Sequence, residues 1–152
     1  MKAIIQRVDY ATVCVDGELK GKTGEGFMVL LGAEAGDTEA DADILARKVA
    51  NLRIFCDEND KMNLSLLDIG GGALVISNFT LCADTKKGNR PSFINAMEPV
   101  GAERLYDYFC ERLKAEGVKC VEKGVFGGDM KVELINNGPV TIILDTEIWR
   151  KQ

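Results

Sequence analysis

Four consecutive residues, Ser77-Asn78-Phe79-Thr80, place hydroxyl, amide and aromatic side chains at the polar end of a long apolar run. Hydroxyl and amide groups can hydrogen-bond a substrate, and backbone N–H groups can stabilise a developing oxyanion. If the strand continues, alternation puts Ser77 and Phe79 on one face and Asn78 and Thr80 on the other. The residues are also typical of a strand that ends in a turn, with Ser and Thr capping backbone groups. The pattern predicts a candidate catalytic segment and leaves the turn interpretation open.

Gly138-Pro139 is a second candidate because it lies between a turn-type pair, Asn136-Asn137, and an apolar run that begins at Val140. A peptide bond before proline can be cis, and a cis bond presents the neighbouring carbonyl groups in an unusual direction for use as acceptors. The alternative is an Asn-Gly hairpin in which Pro139 begins an edge strand. Both interpretations fit the residues.

The chain has 152 residues and no histidine. Within one chain this excludes a Ser-His-Asp triad, a Cys-His dyad, imidazole base catalysis and a histidine-ligated metal. The five cysteines are widely spaced and form no CxxC pair, so no zinc or redox site is expected. Chemistry must come from hydroxyls, carboxylates, amines, thiols, backbone amides or the substrate, and we expect no cofactor and no metal.

The spacing of apolar residues predicts the elements that hold these candidates. Strands are expected over 2–9, 11–16, 26–32, 54–56, 73–81, 118–122, 130–135 and 140–145, and helices over 39–52 and 99–116. We expect one mixed α/β domain over 1–152, arranged in α/β/β layers. A curled, barrel-like, largely antiparallel sheet carries the two main helices on one side.

The net charge of −5 is unevenly distributed, because residues 1–76 carry 8 basic and 13 acidic side chains and residues 77–152 carry 11 of each. This disfavours long nonspecific binding along a polyanion, and no DNA partner is expected. A local basic contact is available at Lys86, Lys87 and Arg90, which are equally typical of a solvated loop. Without a leader-like start or a long apolar run, we expect a cytoplasmic protein and no membrane partner.

Several segments, in order along the whole chain, resemble the D-aminoacyl-tRNA deacylases, also known as the D-tyrosyl-tRNA(Tyr) deacylase family. These segments are Gln6-Arg7-Val8, Lys61-Met62-Asn63-Leu64, Ser77-Asn78-Phe79-Thr80-Leu81, Arg90-Pro91-Ser92-Phe93, Leu105-Tyr106-Asp107-Tyr108-Phe109 and Asn136-Asn137-Gly138-Pro139-Val140-Thr141. The family signatures are Ser-Gln-Phe-Thr and Asn-x-Gly-Pro-x-Thr. The chain matches the second signature and has Asn78 where the first has Gln.

The resemblance implies hydrolysis of the ester that joins a D-amino acid, or glycine on a non-cognate tRNA such as tRNA-Ala, to the 3′-terminal adenosine of tRNA. The substrate 2′-hydroxyl would assist, and backbone amides of Phe79 and Thr80 would stabilise the oxyanion. Ser77 and Thr80 would shape the pocket, and Asn78 belongs to the same catalytic segment. A nucleophilic Thr80 is the competing mechanism, although it would need a base.

The resemblance also implies a homodimer with its active site at the subunit interface. A cis Gly138-Pro139 loop from one subunit would enter the pocket of the other and reject L-aminoacyl-tRNA. Arg7 would hold this loop, Met130 would lie beside it, and Asn136 belongs to its motif. From the residues alone, Arg7 could be a surface ion pair and Met130 a core filler.

On the same resemblance, Lys86, Lys87 and Arg90 would meet phosphates of the tRNA acceptor end. Two alternatives remain open at this point. One is a relative with relaxed chirality that removes small L-amino acids from tRNA. The other is a dimer that binds tRNA without catalysis.

Overall fold

Strand β1 (Lys2–Val15) is the central element of the fold. A computed structural model describes residues 1–150. The other strands are β2 (Glu18–Thr23), β3 (Gly26–Gly32), β4 (Phe55–Cys56), β5 (Met62–Leu64), β6 (Gly72–Ser77), β7 (Val121–Lys123) and β8 (Met130–Asp145). The helices are α1 (Glu39–Asn51), α2 (Leu66–Ile69) and α3 (Pro99–Ala115), and two short 3-10 helices span Phe79–Cys82 and Thr146–Trp149.

The main sheet has the order β2-β1-β3-β6-β7, and β8 pairs with β1 as well. Strand β1 is antiparallel to β2, β3 and β8, whereas β3, β6 and β7 are parallel to one another. The sheet curls until its two end strands, β2 and β7, meet. The Lys22 N–H on β2 donates to Glu122 Oε1 on β7 over 2.9 Å. The predicted curled, barrel-like sheet is confirmed.

Side chains on the central strands alternate between two apolar cores, as the two-residue period of a strand requires. On β6, Val75 packs toward helices α1 and α3, and Leu74 packs toward the inside of the curl. The first core also takes the inner faces of both helices, through fully buried Leu45 and Phe109. Burying a side chain of this size stabilises a fold by about 1.5–3 kcal/mol. The two main helices therefore lie on one side of the sheet, as predicted.

The helix ends follow from their capping residues. Helix α1 begins with a capping box, in which the Thr38 N–H donates to Asp41 Oδ2 over 2.8 Å. Helix α3 has Pro99 in its first turn, and the Glu98 carboxylate accepts from the Val100 and Gly101 N–H groups. The short helix α2 was not predicted, because it adds only one turn after its cap, Ser65. None of the helices among residues 1–150 is both long and apolar enough to span a membrane.

Several strand predictions were wrong in their bounds. The strands expected over 2–9 and 11–16 form one strand, β1, whose register with β8 shifts on both sides of Val8. The strands expected over 130–135 and 140–145 likewise form β8, and both halves pair with β1. The strand expected over 73–81 ends at Ser77, because the chain then turns into the 3-10 helix. The strand expected over 118–122 is shorter and begins at Val121.

Candidate active site

The segment after β6 leaves the sheet abruptly. Ser77 is its last strand residue and pairs with Leu31 of β3. The Asn78 N–H donates to the Leu31 carbonyl over 2.8 Å, and Phe79–Cys82 then form a 3-10 turn. The predicted alternation of faces therefore does not continue beyond Ser77. Phe79 is 58% exposed, so this turn lies at the surface.

Asn78 caps the turn through its side chain. Its Oδ1 atom accepts the Thr80 N–H over 3.3 Å and also accepts the Thr80 hydroxyl. The interpretation of this segment as a turn is thus correct. Its capping residue is Asn78, which accepts the Thr80 N–H, and not Ser77 or Thr80 as predicted. Because an amide oxygen is not a base, the contact does not activate the Thr80 hydroxyl as a nucleophile.

A cavity of about 350 Å³ opens beside this segment. Ser77, Asn78 and Phe79 belong to its lining, and we call this half-buried to exposed edge the mouth of the cavity. Its remaining lining is mostly apolar: Met1, Leu30, Leu31, Ala33, Ile76, Ala102, Tyr106, Phe126, Gly127, Gly128, Met130 and Val132. Met130 thus lies with the catalytic candidates of its own chain. A Cβ on Gly124 would lie 2.5 Å from Met130 Sδ, so the missing side chain makes room for Met130.

The sequence patterns missed the wall formed by Phe126, Gly127 and Gly128. An aromatic residue followed by two glycines between two strands was the available signal. The glycines keep side chains out of the cavity, and Phe126 packs at 6.1 Å, centroid to centroid, from Tyr106. Residues 126–128 connect β7 to β8, so their position depends on where these two strands lie in the curled sheet. No local pattern predicts that position.

Among the described residues, no side chain of the cavity lining is suited to general-base catalysis, and the α-ammonium of Met1 is buried in contact with Asp37 and Thr146. Tyr106 supplies the only ionisable side chain of its lining. The Tyr106 hydroxyl is buried and donates to the Val75 carbonyl over 2.6 Å. Burial raises the pKa of this phenol well above its usual value of 10, so it stays protonated. Within residues 1–150, no group of three or more Cys, Asp or Glu side chains is arranged to hold a metal ion.

A basic loop begins close to the cavity mouth. Asp84 and Ser92 close this loop with two backbone hydrogen bonds of 2.7 and 2.9 Å. Phe93 follows it and packs edge-on against Phe79, with ring centroids 5.0 Å apart. The loop carries three exposed basic residues, Lys86, Lys87 and Arg90. The structure therefore places the predicted phosphate contacts beside the candidate segment.

The second signature forms a wide bulge in β8. Thr141 pairs with Gln6 and Asn136 pairs with Val8, so residues 137–140 all lie opposite Arg7. The Gly138–Pro139 peptide is cis, and both residues are exposed. The alternative of an Asn-Gly hairpin is wrong. A hairpin would pair the two halves of β8 with each other, whereas both halves pair with β1.

Arg7 and Asn136 hold the bulge from either side. Arg7 Nε donates to the Asn137 carbonyl over 2.9 Å, and Arg7 Nη1 donates to the Ile54 carbonyl over 2.8 Å. Asn136 Oδ1 accepts the Val140 N–H over 2.8 Å and closes the neck of the bulge. Arg7 makes no surface ion pair among the described residues. Its contact with the loop is the one that the resemblance implied.

The two signature segments lie apart within one chain. The path from the bulge to Ser77 crosses β1 and β3 to reach β6, at about 4.8 Å per strand. Residues 136–139 contribute nothing to the lining of the cavity. A single chain therefore brings Ser77, Asn78, Phe79 and Met130 together in one lining. Thr80 follows them in the same turn but lies outside the lining, and Gly138 and Pro139 are not brought to them.

Comparison with known proteins identifies the family. A family model described as D-Tyr-tRNA(Tyr) deacylase matches residues 4–145. The chain belongs to this deacylase family. It is 61% identical over 145 residues to the D-aminoacyl-tRNA deacylase of Ruegeria pomeroyi, an alignment that covers 95% of this chain and 99% of the relative. The deacylase family predicted from the residues, and with it the hydrolase class, is confirmed.

Two further relatives support the family and the fold. The D-aminoacyl-tRNA deacylase of Phocaeicola vulgatus is 54% identical over 147 residues, which cover 97% of this chain and 98% of that protein. The solved structure named c-Myc DNA Unwinding Element Binding Protein is 41% identical and superposes with a TM-score of 0.90. That superposition covers 95% of this chain and 98% of the other.

Proposed function

We propose that the chain hydrolyses the ester between a D-amino acid and the 3′-terminal adenosine of tRNA at the cavity mouth. The observation that carries this proposal is a cavity with hydrogen-bonding groups at its mouth and no general base in its lining. An aminoacyl ester is already activated, so its hydrolysis does not need a histidine or a metal ion. What the site must supply is position and charge stabilisation.

The N–H groups of the 3-10 turn are the proposed oxyanion donors. Phe79 begins the turn, so no earlier carbonyl of the turn accepts its N–H. The Thr80 N–H is directed to Asn78 Oδ1 over 3.3 Å, a long bond that a charged oxygen can compete for. Each such donor is typically worth about 3 kcal/mol of transition-state stabilisation.

The substrate itself supplies the remaining catalytic group. The 2′-hydroxyl of the terminal ribose lies next to the ester and can assist the attacking water, which gains several kcal/mol when held in a reactive geometry. A nucleophilic Thr80 is the weaker mechanism, because its proton is directed to the neutral amide of Asn78. Ser77 and Thr80 then serve as hydrogen-bonding groups of the pocket.

The apolar cavity suits the terminal adenosine. Substrates that carry different D-amino acids share only their tRNA end, so a fixed cavity of about 350 Å³ fits the shared part of the substrate best. Phe126 and Tyr106 offer flat aromatic surfaces for a base. Lys86, Lys87 and Arg90 continue this contact to the phosphates of the acceptor end.

Selection against L-amino acids is proposed to need a homodimer. The exposed Gly138 and Pro139 are absent from the cavity of their own chain, so their carbonyls can reach a cavity only on another copy. In that position they would bind the substrate α-amine and leave no room for an L side chain. Glycine lacks a Cβ, so glycine on a non-cognate tRNA such as tRNA-Ala is a substrate on this proposal.

The deciding experiment is deacylation of D-Tyr-, L-Tyr-, Gly- and L-Ala-tRNA by the purified protein. Release of D-Tyr and Gly alone supports the proposal. Release of L-Ala would favour relaxed chirality, and binding of tRNA without release would favour a non-catalytic dimer. The proposed location is the cytoplasm, where aminoacyl-tRNA is made and used.

Duplex DNA serves as a competitor in the same assay. One similar structure is named for DNA binding, whereas this chain has a net charge of −5, which disfavours binding along a duplex. Excess duplex DNA should leave the rate of D-Tyr release unchanged. Inhibition by the duplex at physiological salt would point to a shared nucleic-acid surface.

A further inference from the structure

Asn78 lies in the lining of the cavity, and its side-chain oxygen is bonded to Thr80. Its single Oδ1 atom accepts both the backbone N–H and the hydroxyl of Thr80. Thr80 is exposed and directly follows Phe79, the last residue of this segment in the cavity lining, beside which the ester is proposed to bind. The proton of the Thr80 hydroxyl is therefore directed to Asn78, and no donor within residues 1–150 bonds to its oxygen.

We propose that Asn78 is a positioning residue that acts on the reaction through Thr80. This inference rests on the proposed function. A free threonine hydroxyl rotates and can either donate or accept. With its proton held by Asn78, the Thr80 hydroxyl acts as an acceptor, and it orients the O–H of the attacking water or of the 2′-hydroxyl.

The length of the Asn78 side chain matters for this role. An Asn or Asp oxygen reaches the N–H two residues further along the chain, and this closes a local turn. Gln is one methylene longer and does not close the same ring. The residue in which this chain differs from Ser-Gln-Phe-Thr thus has a contact of its own within the turn that carries the proposed oxyanion donors.

A double-mutant cycle tests the inference. The variants are Asn78→Ala, Thr80→Val and the two combined, assayed for kcat and KM with D-Tyr-tRNA. We expect each single variant to lower kcat about tenfold and the double variant to lose hardly more, because the two residues act as one unit. The KM should stay within about twofold of that of the parent. Asn78→Ser should restore part of the rate, because its hydroxyl can accept the same N–H.

Independent losses would overturn the inference: a double variant about 100-fold slower than the parent means that Asn78 and Thr80 act separately. A large rise in KM in Asn78→Ala alone would also overturn it, because Asn78 would then bind the substrate directly. Asn95→Ala, an exposed asparagine outside the segment, is the matched control and should leave kcat unchanged. If the parent protein itself releases no D-Tyr, the proposed function fails; if it does and the losses add, only the role of Asn78 fails.

Discussion

Arg7 Nε donates a hydrogen bond of 2.9 Å to the carbonyl oxygen of Asn137, so one guanidinium on the central strand holds the bulge that carries Gly138 and Pro139. The same guanidinium donates to the Ile54 carbonyl over 2.8 Å through Nη1. Its planar fork thus connects two segments that are distant in sequence. The exposed tip of the bulge depends on this contact, while the bond from the Val140 N–H to Asn136 Oδ1 closes its neck.

Replacing Arg7 with Lys should release the bulge, because a single ammonium cannot reach both carbonyls with the same geometry. We expect kcat/KM for D-Tyr-tRNA to fall about tenfold. The free energy of unfolding should fall by about 1 kcal/mol, measured by urea titration. Arg53→Lys is the control, since Arg53 also donates to a carbonyl, that of Asn63, over 3.0 Å but does not touch the bulge. Equal losses in both variants would contradict the prediction.

A side chain at position 138 should displace the bulge. Gly138 has a φ of +139°, and a Cβ there would lie 2.8 Å from Val140 Cγ2 and 3.1 Å from Arg7 Nη2. Gly138→Ala should therefore nearly abolish D-Tyr-tRNA deacylation. Gly17→Ala is the control: Gly17 also has a positive φ, +76°, but a Cβ there meets nothing within 4 Å. This control should cost about 1 kcal/mol of stability and leave the rate unchanged.

The Gly138→Ala variant also tests whether the bulge acts on another copy. The second variant is Ser77→Leu, in which the larger side chain fills the cavity mouth. The two variants are mixed, unfolded and refolded together, so that their chains pair at random. If each site combines the cavity of one copy with the bulge of the other, random pairing restores about a quarter of the parent activity. A mixture that stays as inactive as the two separate variants would contradict a site shared between subunits.

The parts of the fold that the sequence predicted are those where burial decides the conformation. Leu45 and Val49, like Leu105 and Phe109, recur at helical spacing, and all four are buried in the helix-facing core. The end of β6 and the bulge of β8 are different, because side chain to backbone bonds set them. Asn78 Oδ1 accepts the Thr80 N–H, and Asn136 Oδ1 accepts the Val140 N–H. Periodicity carries no information on such bonds.

The candidate site was predictable only in pieces, for the same physical reason. Resemblance gave the residues of both signatures, and local pattern marked Ser77 and Gly138. The cavity wall at Phe126 was missed because it forms only once the sheet has curled and brought β7 and β8 around the inner core. The separation of the signatures within one chain likewise depends on the strand order β8-β1-β3-β6, which local patterns do not specify.

Asp41 should contribute to stability in a pH-dependent way. Burial acts to raise the pKa of its carboxyl, but the Thr38 backbone N–H and the Arg150 guanidinium outweigh burial and hold the pKa below its usual value. A lowered pKa in the folded state stabilises the fold above the unfolded-state pKa of about 3.9, and this contribution is lost as the pH falls through the folded-state value.

Asp41→Asn should therefore be less stable than the parent at pH 7, and the gap in unfolding free energy should narrow below about pH 4. Urea titrations at pH 7 and pH 3 measure this difference. Asp129→Asn is the control, because its ion pair with Lys131 is exposed and should contribute nothing measurable. A gap that stays constant with pH would mean that Asp41 acts through packing and not through its charge.

Binding to tRNA should depend on salt through the basic loop. Each contact between a cation and a phosphate releases counterions, so its loss reduces the slope of log affinity against log salt by about 0.7–0.9. Replacing Lys86, Lys87 and Arg90 with Gln should thus weaken binding at low salt and flatten this slope. Lys20→Gln, a basic residue on β2, is the control. An unchanged slope in the triple variant would place the tRNA on another surface.

Asn78→Asp distinguishes the two mechanisms, because the new carboxylate lies in contact with the Thr80 hydroxyl and N–H. If Thr80 is a nucleophile, the variant gains the base that the site lacks, and kcat should rise with accumulation of an aminoacyl ester on Thr80. We expect the opposite. A negative charge beside the developing oxyanion should lower kcat about 100-fold near neutral pH, and the loss should shrink as the pH approaches the pKa of the carboxyl, about 4. Asn89→Asp adds the same charge to the exposed basic loop and should alter tRNA binding without this recovery at low pH. A faster Asn78→Asp enzyme would establish Thr80 as the nucleophile and remove the need for the substrate hydroxyl.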